Sequence, residues 1–354
     1  MIFVTGGAGF IGSNFVLNWL KEETNSIINL DKLIYSGNLL NLKSLKNNPL
    51  HIFVQGDIQD RALIRKLLNQ YKPQAIVHFA AETHVDRSIY DPTPFIQTNV
   101  IGTLHLLQET LDYWKNLNEH SKNHFRFLHV STDEVYGSLR QQDEPFKETS
   151  RYAPNSPYSA SKAASDHLVR AFHNTYGLPT LITHCSNNYG PFQFPEKLVP
   201  LMIINATQGK ILPIYGDGLN IRNWLYVNEH YEALCLVLSK GKPGEHYNIG
   251  SETEITNMDL VHTICSILDD LKPNSPYVPH ASLIQFIKDR PGHDRRYSID
   301  CSKMRQELGW KPKENFKANF HKTIEWYLNN MTWVEKVMSG EYRKWIQLHY
   351  KETS

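Results

Sequence analysis

A tyrosine and a lysine in this chain have the spacing of an acid–base pair. Tyr158 is followed four residues later by Lys162, and of the 18 tyrosines it alone has a lysine at that distance. On a helix, residues four apart share a face, so an ammonium group can stand beside a phenol. A neighbouring cation favours the phenolate and lowers the tyrosine pKa from about 10 toward neutrality. Such a tyrosine can take the proton of an alcohol while a hydride leaves the same carbon, although the spacing alone is as often a surface pair.

Two adjacent acids follow the fifth predicted strand, in the run Ser131-Thr132-Asp133-Glu134-Val135-Tyr136-Gly137. Open α/β sheets place their chemistry at the C-terminal ends of the strands. Adjacent carboxyl groups in different environments can have separate pKa values, so that one donates a proton and the other accepts one. We therefore take Thr132, Asp133 and Glu134 as candidate catalytic residues. In isolation, such a run is more often a solvated acidic turn or a helix N-cap.

A glycine-rich loop separates the first predicted strand from the first helix. It contains G-x-G-x-x-G at Gly7, Gly9 and Gly12, and G-x-x-G-x-x-G at Gly6, Gly9 and Gly12. Glycines allow a tight turn and let backbone N–H groups approach a pyrophosphate at the helix N-terminus. Asp31 ends the second predicted strand, where a carboxylate accepts hydrogen bonds from a ribose 2′-hydroxyl and repels a 2′-phosphate. The loop therefore predicts a site for NAD in preference to NADP, and a nicotinamide cation near Tyr158 would act with Lys162 to lower the pKa of the phenol.

Short apolar segments alternate with amphipathic helical patterns up to about residue 185. Both faces of most segments are apolar, as expected for parallel strands covered by helices. The pattern predicts an α/β fold with a Rossmann-like, doubly wound parallel sheet. Asp57, after the third strand, fits either an adenine contact or a helix N-cap. The predicted strands are Ile2–Thr5, Ser26–Asp31, His51–Gln55, Ala75–Phe79, Phe125–Val130 and Pro179–His184.

Composition excludes several classes of protein. The 354 residues include 37 Lys+Arg and 36 Asp+Glu, and a net charge of +1 argues against a broad electrostatic nucleic-acid binder. The four cysteines contain no C-x-x-C and are expected to be reduced thiols in a cytoplasmic protein. The sequence has no apolar run long enough for a membrane span and no metal-binding motif. We expect no metal, no nucleic acid and no membrane among the partners.

Taken together, these motifs resemble the extended short-chain dehydrogenase/reductases of the NAD-dependent epimerase/dehydratase family. Within them, the similarity is to the dTDP-glucose 4,6-dehydratases, and it runs from residue 1 to about residue 330. The adjacent Asp133 and Glu134 are its most specific element, because epimerases of this fold usually lack them. Further segments that agree are Asp31–Leu33, Tyr35–Asn38, Ala80–Ser88, Asn187–Pro191, Pro195–Leu198, Tyr215–Gly218, Asn220–Arg222 and Asp289–Asp294.

The resemblance implies a redox-neutral dehydration of a nucleotide sugar. Tyr158, with Thr132 and Lys162, would take the proton of the C4 hydroxyl as NAD accepts the C4 hydride. The C4 ketone acidifies the C5 proton, which Glu134 would remove while Asp133 protonates the departing C6 hydroxyl. Hydride would then return to C6, giving dTDP-4-keto-6-deoxyglucose.

The resemblance also implies two sets of binding residues. The cofactor contacts would be Gly6, Gly9, Phe10, Ile11, Gly12, Asp31, Lys32, Leu33, Ile34, Asp57, Ile58, Ala80, Ala81, Glu82, Thr83, Thr98, Tyr158, Lys162 and Asn188. The nucleotide-sugar contacts would be Thr83, Thr132, Asn187, Lys197, Leu198, Pro213, Ile214, Tyr215, Arg222, Asn257, Asp289, Arg290, Pro291, Gly292 and His293. Arg222 and Arg290 are expected diphosphate partners, because a guanidinium forms forked hydrogen bonds to phosphate.

The chain is expected to divide into an NAD-binding domain, a substrate lobe and a tail. The first spans 1–186 with later returns near 219–250, the second is a smaller, interwoven and mainly nucleotide-sugar-binding lobe at 187–330, and the third, 331–354, is predicted to be helical. Helices are predicted at about 229–239, 256–270 and 316–330. The resemblance implies a homodimer, for which the segments near 99–115 and 158–176 are the candidate interface.

Three alternatives stay open at this point. A UDP-glucose 4,6-dehydratase would run the same chemistry, and the sequence has no residue that must recognise the 5-methyl group of thymine. A nucleotide-sugar 4-epimerase would oxidise and reduce C4 without losing water, against which the acid pair argues. An inactive NAD-binding scaffold would need none of Thr132, Tyr158, Lys162 and the acid pair.

Overall fold

A computed structural model describes residues 1–22, 25–289, 291–313 and 315–338. Its strands are β1 (Ile2–Thr5), β2 (Ile27–Asp31), β3 (His51–Gln55), β4 (Ala75–His78), β5 (Arg126–Thr132), β6 (Thr180–Cys185), β7 (Asn187–Tyr189), β8 (Leu212–Tyr215), β9 (Ile221–Tyr226), β10 (His246–Ile249), β11 (Glu254–Thr256) and β12 (Ile284–Ile287). The six predicted strands are all present. Strands β1 and β3 have the predicted ends, and the ends of the other four differ from the prediction by at most two residues. In the described ranges, no helix is both long and apolar enough to cross a membrane.

The helices flank these strands in alternation. They are α1 (Phe10–Glu22), α2 (Arg61–Tyr71), α3 (Val85–Tyr90), α4 (Thr93–Phe95), α5 (Thr103–Lys115), α6 (Glu119–His124), α7 (Pro157–Tyr176), α8 (Leu198–Thr207), α9 (Val227–Lys240), α10 (Asn257–Leu271), α11 (Phe316–Asn329) and α12 (Met331–Val337). A π-helical segment, Ile96–Gly102, joins α4 to α5, and short 3-10 helices lie at Leu39–Leu45, Asp133–Tyr136 and His280–Leu283.

The central sheet has the order β10-β6-β5-β4-β1-β2-β3, and every strand pair within it is parallel. Strands β1, β2 and β4 at its centre are buried at every residue, as expected where helices cover both faces. The fold is therefore the Rossmann-like, doubly wound α/β sheet that the sequence predicts. Successive strands are added outward on one side from β1 and on the other side from β4, so the order reverses between these two parallel strands. The segments after β1, β4 and β5 therefore meet at the carboxyl ends of the strands.

The second half of the chain contributes to both parts of the molecule. Strand β10 adds to the edge of the central sheet beside β6, and α9 packs against α1. Around them, β11-β9-β7 and β12-β8 form two small sheets, packed with α8, α10 and α11 over a separate apolar core. Residues after Cys185 therefore also lie beside the carboxyl ends of the central strands.

The predicted helical tail is described only in part. Helix α12 begins at Met331 and ends at Val337, and residues 339–354 lie outside the described ranges. The α12 side chain Trp333 is buried and donates its indole N–H to the Asn41 side-chain oxygen at 2.9 Å. This contact joins the start of the tail to the segment between β2 and β3.

Candidate active site

The glycine loop is shaped by close approaches that no larger residue permits. Gly6 has φ of +75°, and a Cβ there would lie 2.5 Å from the backbone nitrogen of Ala80. A Cβ on Gly12 would lie 2.2 Å from the Gly6 carbonyl oxygen. Gly7 packs against the Asn29 side chain, whereas Gly6, Gly9 and Gly12 line a cavity. The structure therefore favours the G-x-x-G-x-x-G spacing as the one that forms the floor of the site.

Asp31 is held at the rim of this cavity by backbone amides. Its two carboxylate oxygens accept hydrogen bonds from the N–H groups of Ala8 and Leu33, at 2.9 and 2.8 Å. Burial raises the pKa of Asp31, and these two hydrogen bonds oppose that rise. Each oxygen keeps a further lone pair that can accept a ligand hydroxyl. Leu33 itself does not line the cavity; it packs on the apolar core with φ of 59°.

Asp57 also lies on the cavity wall. Its carboxylate pairs with the ammonium of Lys32 at 2.7 Å. The N-cap of α2 is Asp60, whose side chain accepts from the N–H of Leu63, so the alternative that Asp57 caps this helix is wrong. The acid remains available at the cavity wall beside Lys32.

Helix α7 carries Tyr158 and Lys162 on the face that the sequence predicts. The helix begins with Pro157 after a capping box, in which the side chains and backbone amides of Ser156 and Ser159 bond reciprocally. The side chains of Tyr158 and Lys162 are buried and line the same cavity. The Lys162 ammonium donates to the carbonyl of Val130 on β5 at 2.9 Å. This hydrogen bond fixes the lysine against the strand that carries the acid pair.

The acid pair begins where β5 ends. Thr132 caps the short 3-10 helix Asp133–Tyr136 and accepts from the Glu134 N–H at 3.3 Å. Asp133 is only 2% exposed, and one of its carboxyl oxygens has no hydrogen-bond partner among the residues that the structure describes. Burial, and then the charge of Glu134, raise the pKa of Asp133 to about 8. The run is an N-cap, as one alternative had it, but it is not a solvated turn, and it holds a carboxylic acid that is protonated at neutral pH.

The protein residues around Tyr158 raise the pKa of its phenol. Burial, and next the charge of Glu134, raise it well above the usual value, while a hydrogen bond with Thr132 opposes the rise. The sequence predicts a lowered pKa for Lys162 acting together with a nicotinamide cation, and this stays a prediction, because the effects of burial and of Glu134 come from the protein residues alone. A further positive charge in the cavity is needed to make the phenol a base near neutral pH.

One cavity of about 290 Å³ gathers most of the predicted cofactor residues and part of the substrate set. Every predicted cofactor contact except Leu33 lines this cavity. Of the predicted substrate contacts it contains Thr83, Thr132, Asn187 and Lys197, together with Asp133 and Glu134. Catalytic candidates and the glycine loop thus share one continuous space.

The other predicted substrate residues lie outside the lining of this cavity. Pro213, Ile214 and Tyr215 belong to β8, which pairs with β12, and Asp289 to His293 follow β12. The rings of Tyr215 and His293 are 6.1 Å apart, so these two segments meet at one end of the small sheet. Leu198 begins α8, Asn257 begins α10, and Arg290 lies outside the described residues.

Arg222 is buried below the site. Its guanidinium donates to the carbonyl oxygens of Ile221 and Asp294, at 2.8 and 3.0 Å, and lies over the ring of Tyr297. Its charge also lowers the pKa of Asp133, although less than burial raises it. The structure thus places this predicted phosphate partner within electrostatic reach of the acid pair.

The sequence analysis missed several residues that line the cavity, including Cys185, Gln193, Phe194 and Glu196. Glu196 is the most informative of them. Burial raises its pKa to about 7, and its carboxylate accepts a hydrogen bond from Tyr35 at 3.2 Å. The available signal was its place beside Lys197 in the segment Pro195–Leu198.

The cavity has the features that a dinucleotide needs. At one end are the glycine floor at the α1 N-terminus and a carboxylate with free lone pairs, and at the other is a buried tyrosine that lacks sufficient positive charge. NAD supplies a diphosphate, ribose hydroxyls and a cationic nicotinamide for these three places. The residues present therefore fit NAD.

Comparisons with known proteins agree with this site. A family model described as GDP-mannose 4,6 dehydratase matches residues 3–323. The dTDP-glucose 4,6-dehydratase of Xanthomonas campestris pv. campestris (strain B100) is 57% identical over 340 residues, 96% of each chain. The crystal structure of dTDP-glucose 4,6-dehydratase from Bacillus anthracis str. Ames in complex with NAD has a TM-score of 0.84 and 46% identity, covering 95% of this chain and 99% of that one.

A 4-epimerase is a more distant neighbour. The UDP-glucose 4-epimerase of Thermotoga maritima, crystallised with UDP-glucose, has a TM-score of 0.81 but 28% identity, covering 93% of this chain and 99% of that one. The shared backbone reflects the common fold, whereas the much higher identity to the dehydratases extends over nearly the whole sequence. The chain therefore belongs to the dTDP-glucose 4,6-dehydratases, a family of the extended short-chain dehydrogenase/reductases.

Proposed function

We propose that the protein converts dTDP-glucose to dTDP-4-keto-6-deoxyglucose, with NAD as its resident cofactor. The observation that carries this function is the buried Asp133, whose pKa of about 8 makes it a proton donor, beside Glu134 and in the cavity that holds Tyr158 and Lys162. A simple C4 oxidation has no use for the acid pair. Elimination of water needs both a base and an acid.

NAD supplies the acceptor for the C4 hydride and the donor that returns a hydride at C6. We assign its diphosphate to the α1 N-terminus over Gly6, Gly9 and Gly12, and its adenosine ribose to Asp31. These assignments rest on the glycine floor and on the lone pairs that Asp31 keeps.

Tyr158 acts as the base toward the C4 hydroxyl. Its phenol lies in the cavity between Lys162 on the same helix face and Thr132 at the end of β5. Lys162 stabilises the phenolate through its charge, and Thr132 stabilises it by hydrogen bonding. The hydrogen bond with Thr132 opposes the burial that raises the pKa of Tyr158.

Glu134 and Asp133 divide the elimination between them. Oxidation at C4 makes the C5 proton acidic, and Glu134 removes it. Asp133 donates a proton to the departing C6 hydroxyl, which would otherwise leave as hydroxide. Because burial keeps Asp133 protonated, the two adjacent carboxyl groups hold opposite roles at the same pH.

We assign residues 1–186, with the returning α9 and β10, to cofactor binding, and 187–330 mainly to the nucleotide sugar. Tyr215 and His293 support this division because their rings lie 6.1 Å apart at one end of the β8–β12 sheet. We also propose a homodimer formed by α5 and α7, which light scattering of the full chain would test.

Mass spectrometry of purified protein incubated with dTDP-glucose or UDP-glucose tests the function directly. A product lighter by one water, formed faster from dTDP-glucose, is the expected result. The same loss with a preference for UDP-glucose would make the chain a UDP-glucose 4,6-dehydratase. An isomer of unchanged mass would indicate a 4-epimerase, and no turnover of either substrate would indicate a binding protein.

The stripped protein should bind NAD+ more tightly than NADP+. The Asp31 carboxylate faces the cavity rim, where a 2′-phosphate would bring negative charge beside it and a 2′-hydroxyl would donate to it. Calorimetric titration with each dinucleotide measures the difference. Equal affinities would refute the role given to Asp31.

Turnover should fall as the pH rises through about 8. Asp133 donates its proton only while it is protonated, and its pKa is raised to about 8, so the active form is lost above that value. The dependence of kcat on pH at saturating substrate provides the measurement. A kcat that stays constant to well above this pH would show that Asp133 is not the acid.

A further inference from the structure

A buried polar cluster lies directly beneath the proposed active site. At its centre is Asp166, which is 2% exposed. Its carboxylate oxygens lie 3.3 Å from the His129 Nε2 and 3.1 Å from the His184 Nε2. The hydroxyl of Ser131 donates to the same carboxylate at 3.0 Å. The cluster therefore ties α7 to the two strands, β5 and β6, on which it packs.

Asp166 stands one helical turn after Lys162 on the same face of α7. The Lys162 ammonium bonds the carbonyl of Val130, and the Asp166 carboxylate bonds the hydroxyl of Ser131. Their charged ends thus meet consecutive residues of β5, immediately before Thr132. Both side chains are almost fully buried, so their charges interact with little screening by water.

The charge of Asp166 opposes the burial of Lys162. Burial lowers the pKa of Lys162, and the Asp166 carboxylate is the largest influence that raises it. Burial alone would raise the pKa of Asp166, but its contacts with His129 and His184 bring it well below its usual range. Asp166 is therefore an anion at neutral pH. The other titratable groups around Lys162 are Tyr158 on α7, His78 on β4, His129 on β5, Asp133 and Glu134 after β5, and His184 and Cys185 on β6.

We propose that Asp166 is a positioning residue, which keeps Lys162 charged beside Tyr158 and so makes the phenol a usable base. The inference deepens the proposed function and rests on it. A buried ammonium without a counter-charge loses its proton, and a neutral Lys162 no longer stabilises the phenolate. The anion that supports catalysis would then lie outside the cavity, behind the residues that touch substrate.

Asp166→Asn tests the charge with little change of shape. We expect kcat at neutral pH to fall about tenfold or more, and the acidic limb of the kcat–pH profile to move upward by about one unit or more, because Tyr158 loses its neighbouring cation. Ser131→Ala is the matched control, since it removes one hydrogen bond to Asp166 and keeps the charge. Its acidic limb should stay in place. An unmoved limb in Asp166→Asn, or a limb that moves equally in Ser131→Ala, would overturn the inference.

A double variant tests whether Asp166 acts through Lys162. In a Lys162→Met background, Asp166→Asn should lower turnover little further. An additional loss as large as in the wild-type background would show that Asp166 does not act through Lys162. Thermal melting of the same proteins covers the case in which Asp166→Asn does not fold. The double variant should then fold, because it buries neither charge. If neither Asp166→Asn nor the double variant folds, Asp166 is a structural residue. Absence of turnover in the wild type would refute the proposed function but leave the melting comparison as a test of the pair.

Discussion

Replacing Asp133 by asparagine should stop dehydration while the earlier steps continue. The substitution keeps the shape of the side chain but removes the proton that the departing C6 hydroxyl needs, and elimination should slow roughly 10²-fold or more. Oxidation at C4 depends on Tyr158, and removal of the C5 proton depends on Glu134. In heavy water, the variant should therefore return dTDP-glucose that carries deuterium at C5, with little 4-keto-6-deoxy product. Mass spectrometry separates the two outcomes.

Two variants provide the controls for this experiment. Glu134→Gln should block the product and also suppress C5 exchange, because it removes the base. Asp270→Asn changes an exposed acid on α10 and should behave as the wild type. If Asp133→Asn forms product at the wild-type rate, the acid role is wrong and the epimerase alternative regains support, unless the wild-type product has itself lost water.

Tyr158→Phe should still bind the nucleotide sugar but lose roughly 10²-fold or more of its turnover. The substitution removes the phenolic oxygen and leaves the ring, which packs near Phe95 with 6.4 Å between ring centroids. The base toward the C4 hydroxyl is then absent, so exchange at C5 should disappear together with the product. Calorimetry with dTDP and turnover assays with dTDP-glucose measure the two effects separately.

Tyr176→Phe is the matched control for this substitution. It lies on the same helix, α7, but is 48% exposed and outside the cavity lining. Its turnover should equal that of the wild type. Near-normal turnover in Tyr158→Phe would show that another group takes the C4 proton, and loss of dTDP binding would show that the variant is damaged beyond its chemistry.

Local patterns in the sequence were enough to predict the sheet and the elements that carry the candidate site. Apolar runs without polar alternation indicate strands covered on both sides, and each of the six predicted strands is present. The spacing of Tyr158 and Lys162 determines that they share a helix face, because this depends only on the helical period. The glycines and Asp31 likewise act through backbone geometry close to their own positions.

The protonation states of the site were decided by the tertiary structure. The pKa of Asp133 is raised because distant segments bury it, and the protein residues raise the pKa of Tyr158 because burial, and then the charge of Glu134 after β5, disfavour the phenolate. The role proposed for Asp166 depends on its contacts with His129 on β5 and His184 on β6, which only the tertiary structure shows. Sequence spacing determines which residues share a helix or strand, but desolvation and unscreened charge depend on what the rest of the fold packs around each group.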